Sequence, residues 1–209
     1  RIAAQCQNAI YLDGEEGTDK QDVAQYLHKI SNYGKGVMHS FDCANIPESN
    51  HAKLLFGNLA GAKGRGLHEK AQDGTLYIYN AENLSSEAQQ YLLSACEKSS
   101  TDISKEAPFI IVSGKLDKAS SQDEFDAELY ESLTQMTVEI PPLRECREDL
   151  PELCHKILND MSTKLKLKAP KMGKKFLQFV LNHSWNGNHK ELKSFIERAL
   201  ICTTGRELS

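Results

Sequence analysis

Residues 14–21, Gly14-Glu15-Glu16-Gly17-Thr18-Asp19-Lys20-Gln21, stand between a short apolar run and a helical stretch. Backbone N–H groups of a glycine-bearing loop that opens a helix can wrap phosphate oxygens, and a lysine there reaches the outer phosphates. The full pattern wants glycine before the lysine and a hydroxyl after it, but here those places hold Asp19 and Gln21. A carboxylate about 4 Å from a phosphate costs about 4 kcal/mol at an effective dielectric near 20. A side chain in place of glycine also hinders close backbone approach. Two readings of the segment stand side by side. It is a weakened phosphate cradle, or it is a plain strand–turn–helix connection with Lys20 as a solvated cation.

Other charged groups carry a similar pair of readings. Lys63 and Arg65 place two cations in the glycine-rich stretch 57–66, where they either grip an anion with the backbone or are simply solvent-exposed. Lys164, Lys166, Lys168, Lys171, Lys174 and Lys175 form a basic run, read as a solvated face or as a dock for an acidic partner or DNA backbone. Asp117, Asp123, Glu124, Asp126, Glu128 and Glu131 are its opposite in sign, and a head-to-tail contact between protomers would join the two. Cys154 and His155 with His183 and His189 match no zinc spacing, so no metal is expected. The six cysteines include no C-x-x-C pair, which fits reduced, buried thiols in a cytoplasmic protein.

The elements that must position these groups alternate. Residues 9–12, 36–43, 75–79, 108–112 and 136–140 read as strands, and residues 20–30, 47–56, 85–97 and 125–133 as helices. Residues 57–66, with four glycines, read as a loop, and 115–124 as a mobile one. Alternation through residue 140 predicts an α/β fold, a parallel sheet with helices on both faces. After Pro141-Pro142 the pattern turns purely helical, with helices over 149–161, 173–182 and 188–202 and Trp185 in the core. A net charge of -4 over 209 residues argues against a chain that coats nucleic acid by itself. No apolar run is long enough to span a membrane, and no signal peptide opens the chain. A first residue of Arg1 reads as a piece of a longer protein.

Taken in order, residues 14–21, Asp42-Cys43-Ala44-Asn45-Ile46-Pro47-Glu48, Leu55-Phe56-Gly57, Gly74-Thr75-Leu76, the proline-flanked block 141–151, Trp185-Asn186-Gly187-Asn188-His189-Lys190-Glu191-Leu192 and Ile196-Glu197-Arg198-Ala199 carry a likeness. The chain resembles the AAA+ domain of bacterial enhancer-binding, sigma-54-dependent transcription activators over nearly all of its length. The resemblance implies an AAA+ P-loop α/β subdomain at 1–142 and a small helical lid subdomain at 143–209. It also implies assembly as a homo-oligomer, a dimer or ring. RNA polymerase and DNA would be reached through flanking domains outside this chain.

The departures from that family fall on the chemistry. Its acidic pair after the third strand falls on Tyr79 and Asn80, and its sensor asparagine on Gly114. Its two arginine fingers fall on Asp126 and Ser132, and its lid arginine on Lys190, which keeps the charge but loses the two-pronged fork. The loop that meets sigma-54 reads Gly61-Ala62-Lys63-Gly64-Arg65-Gly66, without the family's aromatic and threonine. The expectation is therefore a non-hydrolysing AAA+ domain, not an enzyme, with ATP binding weak or absent and action without sigma-54. Residues 14–21, Lys63, Arg65 and Lys190 are the candidate ligand-binding groups. Divergent biofilm regulators of the Vibrio polysaccharide regulator type share the missing sigma-54 loop, and that likeness makes cyclic di-GMP the leading ligand. The family's arginine and asparagine past the loop lysine are Gln25 and Tyr26 here, so the site of such a ligand is not placed. A weak ATPase and a ligand-free spacer are the alternatives.

Overall fold

The computed structural model describes residues 9–57, 65–101, 107–116, 125–203 and 207–208, with the side chains of 98–101 left out. The described residues divide into two compact units, one of residues up to Asp13 with Lys20–Glu139, the other of Gly14–Asp19 with Ile140–Ser209.

The first unit is built on five short strands, β1 (Ile10–Asp13), β2 (Met38–Asp42), β3 (Thr75–Tyr79), β4 (Phe109–Ser113) and β5 (Thr137–Glu139). All pair in parallel, in the order β2-β3-β4-β1-β5. The connections carry α1 (Lys20–Ile30), α2 (His51–Phe56), α3 (Leu67–Lys70), α4 (Ser86–Thr101) and α5 (Ala127–Thr134). Alternate residues along a strand point to opposite faces, and the packing follows that rule. Tyr11, Leu76, Ile78, Ile110 and Val112 join Leu55, Ala88, Leu92, Leu129 and Leu133 in one core. The intervening positions meet α1: the His28 ring is hydrogen-bonded to Thr75 Oγ1 at 2.8 Å. Nearby, Tyr33 stacks on Phe109. With helices on both faces, β4 is buried along its whole length, which is why it reads as an unbroken apolar run.

In the second unit α6 (Leu150–Lys164), α7 (Lys174–Asn182) and α8 (Asn188–Cys202) close on Leu150, Ile157, Phe176, Val180, Leu192 and Ile196. Trp185 is 1% exposed, stands at φ +48° and donates its indole N–H to the Val180 carbonyl at 2.8 Å. The expected purely helical character is corrected by a small parallel ladder, β6 (Lys171–Met172) with β7 (Glu207–Leu208). Pro170 interrupts the helical run before β6, and burial of Leu208 holds the ladder against the core.

Further differences have local causes. The expected helix 47–56 is a 3-10 turn at Glu48–Asn50 followed by α2, because Pro47 starts a tight turn whose carbonyl takes the Asn50 N–H at 2.9 Å. An additional short helix, α3, follows the glycine-rich stretch, and α4 runs past residue 97. Most of the loop 57–66 and residues 117–124 lie outside the described residues. All six lysines of the basic run are exposed. Among the described residues no helix is long and apolar enough to cross a membrane. Trp185→Ala is expected to lower the stability of the second unit by about 3–5 kcal/mol, read as a lower denaturant midpoint in a chemical unfolding curve of the whole chain.

Candidate functional site

Residues Gly14–Asp19 form a turn inside the second unit. Thr18 is buried and closes the turn, its hydroxyl donating to the Glu15 carbonyl at 2.7 Å. Gly17 sits at φ +80°, and a Cβ there would collide with the Gly187 carbonyl, so this position requires glycine on both counts. The Lys190 backbone N–H donates to the Gly17 carbonyl at 3.2 Å. Asn188, fully buried, donates its amide to the Glu16 carbonyl at 2.9 Å and to Glu15 Oε2 at 3.2 Å, while its Oδ1 accepts the Leu143 N–H at 2.9 Å.

Two of the three carboxylates in this loop, Glu15 and Asp19, are answered by cations, and Glu16 is exposed. Arg144 grips Glu15 in a two-pronged pair at 2.7 and 2.6 Å. Lys193 Nζ donates to Asp19 Oδ2 at 2.8 Å. The expected charge penalty from Asp19 is corrected accordingly, since its negative charge is shared with an ammonium group before any phosphate arrives. The sequence does not single out Arg144, Asn188 and Lys193, which hold this turn. Two of them lie in sequence blocks already quoted, but nothing in a sequence says which side chains turn toward a distant loop.

The remaining candidates lie in the first unit. Lys20 and Gln21 open α1, Lys20 half-buried and Gln21 exposed. Gln25 and Tyr26 are exposed on the same helix. Lys63 lies outside the described residues. Arg65 is exposed and paired with Glu69 at 3.1 Å. It shares a cavity of about 320 Å³ with Lys53 and Lys70 over Phe41 and Leu67. Asp126, at one finger position, caps α5 by accepting the Leu129 N–H at 2.9 Å, and Ser132 lies in α5 near Glu128 and Glu131. A Cβ at residue 114 would collide with the Glu82 carboxylate, which accepts the Lys115 N–H at 3.0 Å. The end of β3 carries a phenol and an amide: Asn80, at φ +55°, donates to Asp42 Oδ1 at 2.7 Å. Burial first, then the charge and hydrogen bonding of Asp42, raises the Tyr79 pKa.

A divalent cation held as the family holds it does not fit these residues. Such an ion takes carboxylates and a loop hydroxyl, whereas positions 79, 80 and 21 supply a phenol and two amides. Among the described residues no group of three or more His, Cys, Asp or Glu side chains could hold a metal.

Hydrogen bonds from Arg144 first, then from Asn188, bring the Glu15 pKa from its ordinary 4.5 down to about 2. A depressed carboxylate pKa adds stability that is complete above the unfolded value and fades as pH falls toward the folded one. The difference in urea midpoint between the native chain and Glu15→Gln is therefore expected to be constant above about pH 5.5 and to shrink between 4.5 and 2.

Residues 1–143 match the sigma-54 interaction domain and residues 144–209 the AAA+ ATPase lid domain. The pathogenicity-locus regulatory protein HrpS of Pseudomonas savastanoi pv. phaseolicola is 32% identical over 92% of this chain and 68% of its own length. The Nif-specific regulatory protein of Herbaspirillum seropedicae is 29% identical over 97% of this chain, which spans only 40% of that relative. Among solved structures, NtrX from Brucella abortus superposes with a TM-score of 0.84 at 25% identity, over 99% of this chain and 48% of its own. NtrX has been solved in complex with ADP and in complex with ATP. These findings overturn the expectation that the chain is not an enzyme: its relatives point to ATPase activity. The chain belongs to the AAA+ sigma-54 interaction domain family of bacterial transcription regulators.

Proposed function

We propose that this chain is the ATP-binding and ATP-hydrolysing module of a transcription regulator, with residues 14–21 as its phosphate loop and Lys20 as the phosphate-facing cation. The observation that carries the reading is the charge pairing in the loop. Glu15 and Asp19 are each held by a cation and the third acid, Glu16, is exposed to solvent, so two of the three negative charges of the turn are offset beside its backbone N–H groups. The ATP and ADP complexes of Brucella NtrX support the choice of ligand. Turnover is slow in this reading, because arginine fingers that stabilise transferring phosphate are replaced by Asp126 and Ser132.

Within the longer protein, the α/β subdomain of residues 1–142 and the lid of residues 143–209 act as a homo-oligomer, and RNA polymerase and DNA are engaged through domains outside this chain. Without the family's aromatic and threonine, residues 61–66 support a weakened hold on sigma-54. Transcription in vitro by the full-length regulator is expected to proceed with the other sigma form of the polymerase. Activation with sigma-54 alone would reject that element of the reading. Cyclic di-GMP is the competing ligand, supported by likeness to biofilm regulators alone.

Calorimetric titration with each nucleotide, paired with steady-state phosphate release, tests the core claim. Lys20→Ala is expected to weaken ATP binding at least about tenfold and to remove turnover. Lys193→Ala, which strips Asp19 of its cation, is expected to weaken ATP binding by about tenfold. Adding Asp19→Asn to that variant is expected to restore it. No heat with ATP, or turnover that ignores Lys20, would reject the reading.

A further inference from the structure

Hydrolysis of a phosphoanhydride needs an acceptor that orients the attacking water and takes its proton. Ligands of a parallel sheet gather outside the carboxyl ends of its strands, and at that edge Tyr79 and Asn80 offer donors where the family has acids. Their interactions converge on a single group. Asn80 donates to Asp42 Oδ1 at 2.7 Å, and Asp42 is among the groups that raise the Tyr79 pKa, after burial. Asp42 closes β2, directly opposite Tyr79 in the parallel register. An acid has thus appeared one strand over, about 4.8 Å across the sheet, from the position that lost its own.

The local geometry favours a held, accessible carboxylate. Asp42 also accepts the Ala44 N–H at 3.1 Å and a short hydrogen bond from the Asn45 amide, which fixes its orientation, yet it stays half-exposed. Asn80 stands in the left-handed conformation that asparagine and aspartate tolerate best, and its amide reaches back to β2. Glu82 is the other acid at this edge, but it lies against Gly114 and accepts the Lys115 N–H.

Resting on the ATPase reading above, we propose that Asp42 is the acid that serves ATP hydrolysis in this chain, with Tyr79 and Asn80 as its positioning residues. The oxygen of water bonds to the γ-phosphorus. The bond from that phosphorus to the β,γ-bridging oxygen breaks, and its electron pair stays on ADP. The proton released by the water passes to the Asp42 carboxylate and from there to solvent, leaving ADP and inorganic phosphate.

Steady-state phosphate release with magnesium-ATP as substrate, and nucleotide affinity measured separately by fluorescence titration, test the proposal on the whole chain. Asp42→Asn is isosteric and is expected to lower kcat about 100-fold or more while ATP affinity stays within about threefold. The exchange variant, Asp42→Asn with Asn80→Asp, returns the acid to β3 and is expected to recover at least about tenfold of that loss. Glu82→Gln is expected to keep the native kcat. A kcat for Asp42→Asn within about threefold of native, or an exchange variant no better than Asp42→Asn, overturns the proposal and leaves ATP hydrolysis standing. Absence of turnover in the native chain overturns both readings. Should Asp42→Asn fail to fold by circular dichroism, Asn80→Asp sets a second acid against Asp42 and is expected to shift the acid limb of the kcat–pH profile. An unmoved limb overturns the proposal.

Discussion

A buried amide holds the turn Gly14–Asp19 in place. Asn188 has no exposed surface, so its donors and its acceptor must find partners within the protein or cost the fold a desolvation penalty. It finds them on both sides: the Leu143 N–H on its oxygen, the Glu16 carbonyl and the Glu15 carboxylate on its nitrogen. The loop turn and the start of the lid segment are thereby held by one side chain. This accounts for the grouping of Gly14–Asp19 with Ile140–Ser209, although the turn is more than a hundred residues away in sequence. Arg144 on Glu15 and Lys193 on Asp19 add charge to the same arrangement, but both pairs keep solvent exposure and are weaker anchors than the buried amide.

That arrangement changes the meaning of Asp19. As an isolated substitution for glycine, it sets a negative charge beside a phosphate. Inside the second unit its carboxylate has an ammonium partner at 2.8 Å, so the loop's net field is set by the pair and not by the acid alone. Family patterns describe positions singly, whereas electrostatics acts on neighbours, and the neighbour here is 174 residues away.

Legibility in the sequence followed the range of the forces involved. Helices Lys20–Ile30 and Asn188–Cys202 could be read to the residue because apolar spacing and local breakers set them. The parallel sheet was legible from alternation, and the buried β4 from its continuous apolar run. The β6–β7 ladder was not, since two residues carry no period and their pairing depends on burying Leu208 from afar. The loop residues 14–21 stand out as candidates in the sequence because they are contiguous. The contacts of Arg144, Lys193 and Asp42 do not, because each meets a partner on another element.

At the carboxyl edge of the sheet, two of the departures from the family stand in contact with an acid. Asn80, just past the end of β3, and Asp42, at the end of β2, form a donor and an acceptor across the edge. Gly114 and Glu82 form a second pair in close contact, and a Cβ at 114 would also meet the Ala81 backbone nitrogen at 2.8 Å, which cannot swing aside as the carboxylate can. Here the Asn80 amide, the Lys115 N–H and both carboxylates have partners. The acidic side chains of this edge therefore stand at the end of β2, in Asp42, and after β3, in Glu82, while positions 79 and 80 carry a phenol and an amide.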